Sequence, residues 1–283
     1  MQGKTVVITG ATSGIGEVAA DRLAAKGARI VFIARDQARG EETLKHLHAI
    51  APGVEHAAHY ADLTRLSEMK RVATEVAAAE PKIDVLINNA GTIQLSREVT
   101  EDGLEKTFAT NHMAYFILTN GLLSNLKAAG NARIVSTASD AHKGQKLDFD
   151  DLQMEKHYST FGAYGRSKLC NILFTRELAR RLAGTGVTAN CQHPGFVNTR
   201  MGDNNGVIAT LLGRLIKNFG MTPEQGAQTI IYLASSGDVE GVSGKYFYKS
   251  AVWAPSREAQ NDADAKRLWE VSAALVDHPP RNG

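Results

Sequence analysis

Residues 5–16 read Thr5-Val6-Val7-Ile8-Thr9-Gly10-Ala11-Thr12-Ser13-Gly14-Ile15-Gly16, and this stretch decides the fold. Its first residues are apolar or β-branched, as in a short buried strand. Three glycines follow, and residues 17–26 then carry alanines and a leucine at helical spacing. A strand, a glycine-rich turn and a helix in this order are typical of a dinucleotide-binding fold, in which the pyrophosphate lies at the helix N-terminus.

The same alternation continues along the chain. After Lys4–Ile8, strands are predicted at Ala28–Ala34, Val54–His59, Ile83–Asn88, Arg133–Thr137, Val187–His193 and Lys245–Tyr248. Later helices are predicted at Asp36–Ile50, Leu66–Ala79, Leu104–Ala129, Ala163–Ala183, Pro223–Ser235 and Ser256–Leu275. This pattern predicts an α/β fold, a Rossmann-type doubly wound parallel sheet of about seven strands with helices on both faces.

The composition is that of an ordinary globular protein, and we expect one domain over residues 1–283. Lys and Arg total 32 against 30 Asp and Glu, without a basic run, which argues against nucleic acid as a partner. Cys170 and Cys191 form neither a C-x-x-C pair nor a disulfide framework, and we find no signal peptide or membrane-spanning stretch. We therefore expect a soluble, cytoplasmic protein without a membrane partner.

A Tyr-x-x-x-Lys pattern occurs at Tyr164 and Lys168 within a predicted helix. Residues four apart share one helix face, so the Lys168 ammonium is expected to lie near the Tyr164 phenol and to lower its pKa from about 10. A phenol with a lowered pKa is a proton donor suited to carbonyl chemistry. Alone, however, this spacing is a weak signal, because both residue types are common on solvated helix faces.

Three motifs in order resemble the short-chain dehydrogenase/reductase family over essentially the whole chain. They are Thr9-Gly10-x-x-x-Gly14-x-Gly16, Asn88-Asn89-Ala90-Gly91 and Tyr164-x-x-x-Lys168. Other segments look like the retinol-dehydrogenase branch of that family, namely Ser139-Asp140-Ala141-His142, Ser167-Lys168-Leu169, residues 173–178 and His193-Pro194-Gly195. The resemblance implies an oxidoreductase that uses a nicotinamide cofactor.

The resemblance also implies four catalytic residues. Tyr164 would exchange the proton. Lys168 and the positive charge of the oxidised nicotinamide would together lower the phenol pKa, and Lys168 would also bind the nicotinamide ribose. Ser139, selected by the Ser-Asp-Ala-His match, would bind the substrate oxygen; it lies 25 residues before Tyr164, which implies an insertion relative to simpler family members. Asn111 would belong to a helix whose backbone holds a water that relays protons to the lysine, although a helix-interior amide without a role is the alternative.

A larger set of residues is expected to bind the cofactor. It consists of Gly10, Thr12, Ser13, Gly14, Ile15, Gly16, Arg35, Asp62, Leu63, Asn89, Ala90, Gly91, Tyr164, Lys168, Pro194, Gly195, Val197 and Thr199. By the resemblance, Asp62 and Leu63 would contact the adenine, and residues 89–91 would line the adjacent ribose. The alternative for Asn88 and Asn89 is that they satisfy backbone groups at a strand end.

The end of the second predicted strand bears on the choice of cofactor. NAD-dependent enzymes of this kind carry an acid there, which binds the 2′-hydroxyl of the adenine ribose. Here Ala34 is followed by Arg35, whose guanidinium can pair with a 2′-phosphate. NADP(H) is therefore the predicted cofactor, while Asp36 keeps NAD(H) possible and a solvated surface residue is the alternative for Arg35.

These residues predict an NADP(H)-dependent enzyme that interconverts a ketone or aldehyde and an alcohol by hydride transfer. One alternative is a catalytically idle nucleotide-sensing protein, because fold alone does not establish chemistry. Another is reduction of a carbon–carbon double bond of a large pigment, because Ser167-Lys168-Leu169-Cys170-Asn171 is similar to a segment of light-dependent protochlorophyllide reductases. A homo-oligomer is possible, and a monomer is the alternative.

Two irregular segments, 140–162 and 196–221, follow strand ends and are predicted to face the substrate. The second contains glycines among apolar residues, so it is a candidate lid for a hydrophobic substrate, with simple helix packing as the alternative. Neighbouring histidines such as His46 and His48 do not share a helix face, so we predict no metal site.

Overall fold

The computed structural model describes residues 1–196 and 221–280, whose strands form one sheet. The strands are β1 (Thr5–Thr9), β2 (Arg29–Ala34), β3 (Ala57–Tyr60), β4 (Val85–Asn88), β5 (Arg133–Thr137), β6 (Thr188–His193), β7 (Tyr246–Tyr248) and β8 (Ala251–Val252). The helices are α1 (Gly14–Ala25), α2 (Gln37–Ile50), α3 (Leu66–Ala79), α4 (Lys106–Phe108), α5 (Ala114–Gly121), α6 (Leu123–Ala128), α7 (Thr160–Arg181), α8 (Pro223–Ser235) and α9 (Asp262–Asp277). Several short 3-10 turns and one π turn join them.

The strand order is β3-β2-β1-β4-β5-β6-β7-β8, and every pair is parallel except β7 and β8. The predicted doubly wound parallel sheet is therefore confirmed, with β8 as an antiparallel addition at its edge. The chain winds outward from β1 to β3 and then returns to place β4 on the other side of β1. Open α/β sheets bind ligands at the carboxyl ends of the strands beside such a reversal, so the order places a site above β1 and β4.

The sheet has one strand more than the seven predicted. The additional strand, β8, has two residues and pairs antiparallel with β7 through a turn at Lys249 and Ser250. Both turn residues have positive φ angles, 48° and 61°, which Asn and Gly adopt more readily. The sequence did not predict this hairpin. Its turn contains neither Asn nor Gly, and a strand of two residues is too short to be recognised from a sequence pattern.

Successive side chains of a strand point to opposite faces of the sheet, and each face packs against its own apolar layer. Val6 and Ile8 of β1 point to the face covered by α1 and α8, while Val7 points to the face covered by α3, α5 and α7. On the second face, α9 packs against α7 and places the Trp269 ring 5.7 Å from Phe174. Burial on both faces explains why the central strands read as continuous apolar runs.

The helix predicted over Leu104–Ala129 consists instead of α4, a π turn at Ala109–Met113, α5 and α6. Its start is delayed because the Glu105 carboxylate accepts hydrogen bonds from the backbone N–H groups of Thr107 and Phe108, at 2.8 and 2.7 Å, and so caps α4. None of the described helices combines the length and the apolar character needed to cross a bilayer.

Candidate active site

A cleft of about 830 Å³ opens at the carboxyl ends of the strands. Of the predicted site residues, Gly10, Thr12, Ser13, Gly14, Ile15, Arg35, Asp62, Leu63, Asn89, Ala90, Gly91, Ser139, Tyr164, Pro194 and Gly195 line it. Gly16, Asn111 and Lys168 are not among its lining residues. Val197, Thr199 and nearly all of the proposed lid, 196–221, lie outside the described residues. The tertiary structure thus brings residues from both halves of the chain to one cleft.

The glycine-rich turn is shaped to admit a phosphate group. Gly10 and Gly14 have positive φ angles of 72° and 62°, and a Cβ on Gly16 would lie 2.1 Å from the Gly10 carbonyl oxygen. Ser13 precedes α1 without a side-chain hydrogen bond to the first turn of the helix. The positive end of α1 and its first backbone N–H groups therefore meet the cleft, and this arrangement fits a pyrophosphate.

Two guanidinium groups line the cleft beyond the end of β2. Arg35 is exposed, and Arg39, one helical turn later, donates a hydrogen bond from Nη2 to the Thr12 carbonyl at 2.9 Å. The Asp36 carboxylate accepts from the Arg39 backbone N–H at 2.8 Å and caps α2. Sequence reasoning missed Arg39, although its i, i+4 relation to Arg35 was a usable signal.

Asn89 and Asp62 hold the rim of the cleft through local hydrogen bonds. The Asn89 side chain donates to the carbonyl oxygens of Thr9 and Gly10, at 3.2 and 3.3 Å, and its backbone N–H donates to the Thr9 hydroxyl. Asp62 accepts from both the N–H and the hydroxyl of Thr64. These contacts agree with the structural alternative for Asn89, because they satisfy backbone groups where β1 and β4 end.

Tyr164 and Lys168 share one face of α7, as their spacing predicted. Lys168 is buried, with 1% of its surface exposed; its ammonium lies 5.5 Å from the centre of the Tyr164 ring and donates to the Thr137 carbonyl at 3.1 Å. Tyr164 is half-buried and lines the cleft. The lysine therefore approaches the phenol from the protein interior.

The protein groups alone shift the pKa of Tyr164 in the direction opposite to that expected from Lys168 and the oxidised nicotinamide together. Burial raises it above 10, although a hydrogen bond with Ser139 acts in the opposite direction. Burial also lowers the pKa of Lys168 to about 7, so the lysine is only partly charged near neutral pH. Spacing along α7 indicates the attraction between the two groups but not the desolvation of either group.

Ser139 lies two residues after the end of β5, in extended backbone with φ −161°. Its hydroxyl oxygen accepts from the Ala141 N–H at 3.2 Å, and the residue lines the cleft beside Tyr164. Because that bond occupies a lone pair, the hydroxyl proton remains able to donate. The serine selected from the sequence therefore lines the same cleft as Tyr164.

Asn111 lies in the π turn, buried behind the cleft. Its Oδ1 accepts from the Thr92 N–H at 2.7 Å, and its Nδ2 donates to the Ser167 hydroxyl at 2.9 Å and to the Thr92 carbonyl. Turns of the π type disturb the regular helix ladder and occur often at functional sites. The side chain thus joins the loop after β4 to α7, one residue from Lys168.

Gly165 brings the turn after β5 into direct contact with the helix that carries Tyr164. A Cβ on Gly165 would lie 2.5 Å from the Ala141 carbonyl oxygen and 2.8 Å from the Gln145 side chain. Only glycine therefore allows this approach, which sets the separation of Ser139 and Tyr164.

Replacing Gly165 by alanine is expected to reduce kcat by at least about tenfold, because displacement of a reacting group by about 1 Å can cost up to about 10² in rate. We also expect a loss of about 1–3 kcal/mol in unfolding free energy despite the better helix propensity of alanine. Gly162→Ala is the matched control, since its Cβ would meet only side chains, at 3.2–3.3 Å. Steady-state kinetics and urea unfolding measure both effects, and equal kcat losses in the two variants would contradict the argument.

The segment 140–162 faces the cleft only at its ends, which corrects the prediction that it is a substrate-facing loop. Asp140, Ala141 and Phe161 line the cleft. Between them, residues 147, 149 and 152 carry apolar side chains that pack against the core. The Tyr158 hydroxyl donates to the Gln94 carbonyl at 2.9 Å and attaches the segment to the loop after β4. Apolar side chains inside a polar stretch were the signal that the sequence offered.

Several further residues line the cleft that the sequence did not single out, although Phe161 and Phe196 lie in the two segments predicted to face the substrate. Gln94 is buried, Phe161 and Phe196 are exposed apolar side chains, and the His193 and Tyr248 rings stack with their centres 4.9 Å apart. They come from four separate segments of the chain. No local pattern marks Gln94 or Tyr248 as site residues, because only the tertiary structure brings them to the cleft.

Two of the histidines in residues 46–59 form polar contacts with residues of other segments. His46 pairs with Asp21 at 3.1 Å, and His56 Nδ1 accepts from the Ile30 N–H at 3.0 Å. The described residues contain no group of three or more His, Cys, Asp or Glu side chains placed to hold a metal ion.

Cys170 is buried on α7, where desolvation raises its thiol pKa.

Comparison with known proteins gives matches over nearly the whole chain. The family model described as short chain dehydrogenase matches residues 4–206. Human retinol dehydrogenase 14 is 43% identical over 292 residues, which cover 98% of this chain and 87% of that protein. Human retinol dehydrogenase 13 is 40% identical over 280 residues, which cover 97% and 85%.

Solved structures agree with this assignment. An uncharacterized protein of Mycobacterium paratuberculosis aligns with a TM-score of 0.79 at 32% identity, covering 98% of this chain and 95% of that chain. The RhlG/NADP complex of Pseudomonas aeruginosa aligns with a TM-score of 0.69 at 26% identity, covering 87% and 94%. The chain therefore belongs to the short-chain dehydrogenase family and, within it, resembles the retinol dehydrogenases.

Proposed function

We propose that the protein is an NADP(H)-dependent oxidoreductase that interconverts a hydrophobic ketone or aldehyde and the corresponding alcohol. The observation that carries this proposal is the convergence of Ser139 and Tyr164 on the cleft that also contains the glycine-rich turn and two guanidinium groups. A proton donor, a hydroxyl for orientation and a dinucleotide cradle are the parts that this reaction requires of a protein.

The cradle fits NADP(H). The glycine-rich turn offers the pyrophosphate a helix N-terminus, and Arg35 and Arg39 offer cations for a 2′-phosphate. Asp36, the acid that kept NAD(H) possible, caps α2 instead of ending β2. When bound, the cofactor supplies a hydride from its reduced nicotinamide and, once oxidised, a positive charge in the cleft.

Tyr164 gives its phenolic proton to the substrate oxygen as the carbonyl carbon is reduced, and it accepts that proton in the oxidative direction. The Ser139 hydroxyl donates a hydrogen bond to the same oxygen and so orients the carbonyl group. Lys168, attached to Thr137 behind the phenol, stabilises the phenolate once it forms. In the proposed relay, water held by the π-turn backbone at Asn111 returns the proton to this lysine.

Two observations support a hydrophobic substrate. Phe161 and Phe196 line the cleft while 77% and 62% of their surfaces are exposed, so both can contact a ligand without repacking the core. In addition, the relatives at about 40% identity are named for retinol, a hydrophobic alcohol. The pigment-reductase alternative gains no support from Cys170, which is buried with a raised thiol pKa.

A panel of carbonyl compounds tests the proposal, with oxidation of NADPH or NADH as the readout. We expect turnover of hydrophobic ketones or aldehydes, little turnover of sugars, and tighter binding of NADPH than of NADH. Arg35→Ala and Arg39→Ala should each weaken NADPH binding by about 10- to 100-fold and leave NADH binding nearly unchanged, because a charge-assisted hydrogen bond contributes about 1.5–3 kcal/mol.

Lys45→Ala is the control for these variants, since it removes an exposed cation of α2 that does not line the cleft. Equal dissociation constants for the two cofactors in the unmutated protein would contradict the role of the two arginines. An inert protein that still binds NADPH tightly would instead favour the nucleotide-sensing alternative.

A further inference from the structure

His142 is a buried histidine beside the cleft that the proposed mechanism does not use. It ends the short 3-10 turn Asp140–His142 that follows Ser139, and none of its surface is exposed. A buried polar side chain needs hydrogen-bond partners, so its contacts define what it does.

Both ring nitrogens of His142 have a backbone partner. Nδ1 lies 2.6 Å from the Ser139 carbonyl oxygen, and Nε2 accepts from the Ser256 N–H at 3.0 Å. A carbonyl oxygen only accepts and a backbone N–H only donates, so the proton is on Nδ1 and the lone pair is on Nε2. The ring is therefore neutral, in agreement with burial, which lowers the pKa of His142.

These bonds connect Ser139 to the C-terminal part of the chain. Ser256 precedes α9, and the His142 ring also meets the edge of Tyr246, with ring centres 5.3 Å apart. The Tyr246 hydroxyl donates to the Asp140 carboxylate at 3.3 Å. The turn after β5 thus contacts both β7 and the segment that leads into α9.

The same contacts fix the orientation of Ser139. Its carbonyl oxygen accepts from the backbone N–H of His142 at 3.2 Å and from the imidazole, while its hydroxyl oxygen accepts from the Ala141 N–H. Two donors on the carbonyl prevent rotation of the peptide plane after Ser139. The hydroxyl proton then has a defined direction in which to donate.

We propose that His142 is a positioning residue, which holds Ser139 in its donating orientation by joining the Ser139 carbonyl to the backbone at Ser256. The inference rests on the proposed function, because it gives His142 importance through the role of Ser139. It also connects the site to Ser256, which lies outside the sequence motifs from which the site was predicted.

The hydrogen bonds of His142 to the Ser139 carbonyl and to the Ser256 N–H form a bridge. Two variants each keep one of these two bonds. In His142→Asn the amide group occupies the place of Nδ1, so it keeps a donor for Ser139 and loses the acceptor for Ser256. In His142→Gln the longer side chain reaches the place of Nε2, so it keeps the acceptor for Ser256 and leaves the Ser139 carbonyl without its side-chain donor. Both variants lose imidazole packing, so they are matched in structural damage.

We expect similar losses of thermal stability in the two variants and an unchanged NADPH dissociation constant. The kcat of His142→Asn should stay within about threefold of the unmutated protein, whereas that of His142→Gln should fall about tenfold or more, with a smaller change in KM. A purely structural role for His142 would lower stability without separating the two kcat values. Equal kcat values, or a larger loss in His142→Asn, would overturn the proposal.

Failure of the inference can be told from failure of the proposed function. An unmutated protein without carbonyl turnover, or a Ser139→Ala variant with full kcat, would refute the proposed function. If either histidine variant fails to fold, nitrogen NMR of histidine-labelled unmutated protein still tests whether the two hydrogen bonds of His142 exist. A neutral His142 ring protonated at Nδ1 is expected, and protonation at Nε2 would rule out the bridge.

Discussion

Replacing Tyr164 by phenylalanine is expected to lower kcat by about 10²- to 10⁴-fold, the range that general acid–base catalysis contributes. The substitution removes only the phenolic hydroxyl, whose hydrogen bond joins it to Ser139, and it retains the half-buried ring. The fold and the affinity for NADPH should therefore change little. Stopped-flow hydride transfer and NADPH titration measure the two quantities separately.

Tyr232→Phe provides the control, because it removes a phenolic hydroxyl from α8, away from the residues that line the cleft. We expect this variant to keep its full kcat. A Tyr164→Phe protein that retains more than about a tenth of the kcat would show that another group supplies the proton. A parallel loss of NADPH affinity would mean that the ring had moved.

Replacing Lys168 by methionine is expected to have opposite effects on activity and stability. The kcat should fall by about 10² or more, since Tyr164 loses the cation that stabilises its ionised form. The unfolding free energy at pH 7 should rise by about 1–4 kcal/mol, because an apolar side chain of similar length replaces a buried amine. The Thr137 carbonyl keeps a donor, Nδ2 of Asn171 at 3.1 Å.

The gain in unfolding free energy of the Lys168→Met variant should depend on pH. Burial lowers the pKa of Lys168 from 10.5 to about 7, so between these values the unfolded chain binds a proton that the folded chain does not. The destabilisation by Lys168 is therefore complete below about pH 7 and disappears as the pH rises towards 10.5. Urea unfolding of both proteins across this range should show a difference that shrinks with pH.

Lys45→Met, which changes an exposed lysine of α2, controls for the general effect of removing a positive charge. Its stability relative to the unmutated protein should vary little over the same pH range. If Lys168→Met is less stable than the unmutated protein at pH 7, the Thr137 bond outweighs the cost of burying the amine. That result would contradict the predicted gain in unfolding free energy, whatever happens to kcat.

The sequence predicted the features that depend on neighbours along the chain. The bounds of α3 and α8 agree with the prediction at both ends, because helical spacing is local and α8 also has a capping box formed by Thr222 and Gln225. The glycine-rich turn was recognised because its conformations exclude other residues. Tyr164 and Lys168 were placed on one face by helix geometry alone.

The site required the tertiary structure wherever distant segments meet. Arg39 reaches the Thr12 carbonyl because α2 packs beside the glycine-rich turn, and Gly165 matters because the turn after β5 presses on α7. The bridge from Ser139 through His142 to Ser256 spans more than a hundred residues of sequence. Neither residue of such a contact carries a local signal of its partner.

The pKa values show most clearly what sequence by itself determined and what only the tertiary structure decided. Spacing along α7 fixed that a phenol and an amine lie together, because helix geometry is the same in every protein. The folded environment decided that burial raises the pKa of Tyr164 and lowers that of Lys168. Desolvation depends on every atom packed around a group, and those atoms come from strands and helices throughout the chain.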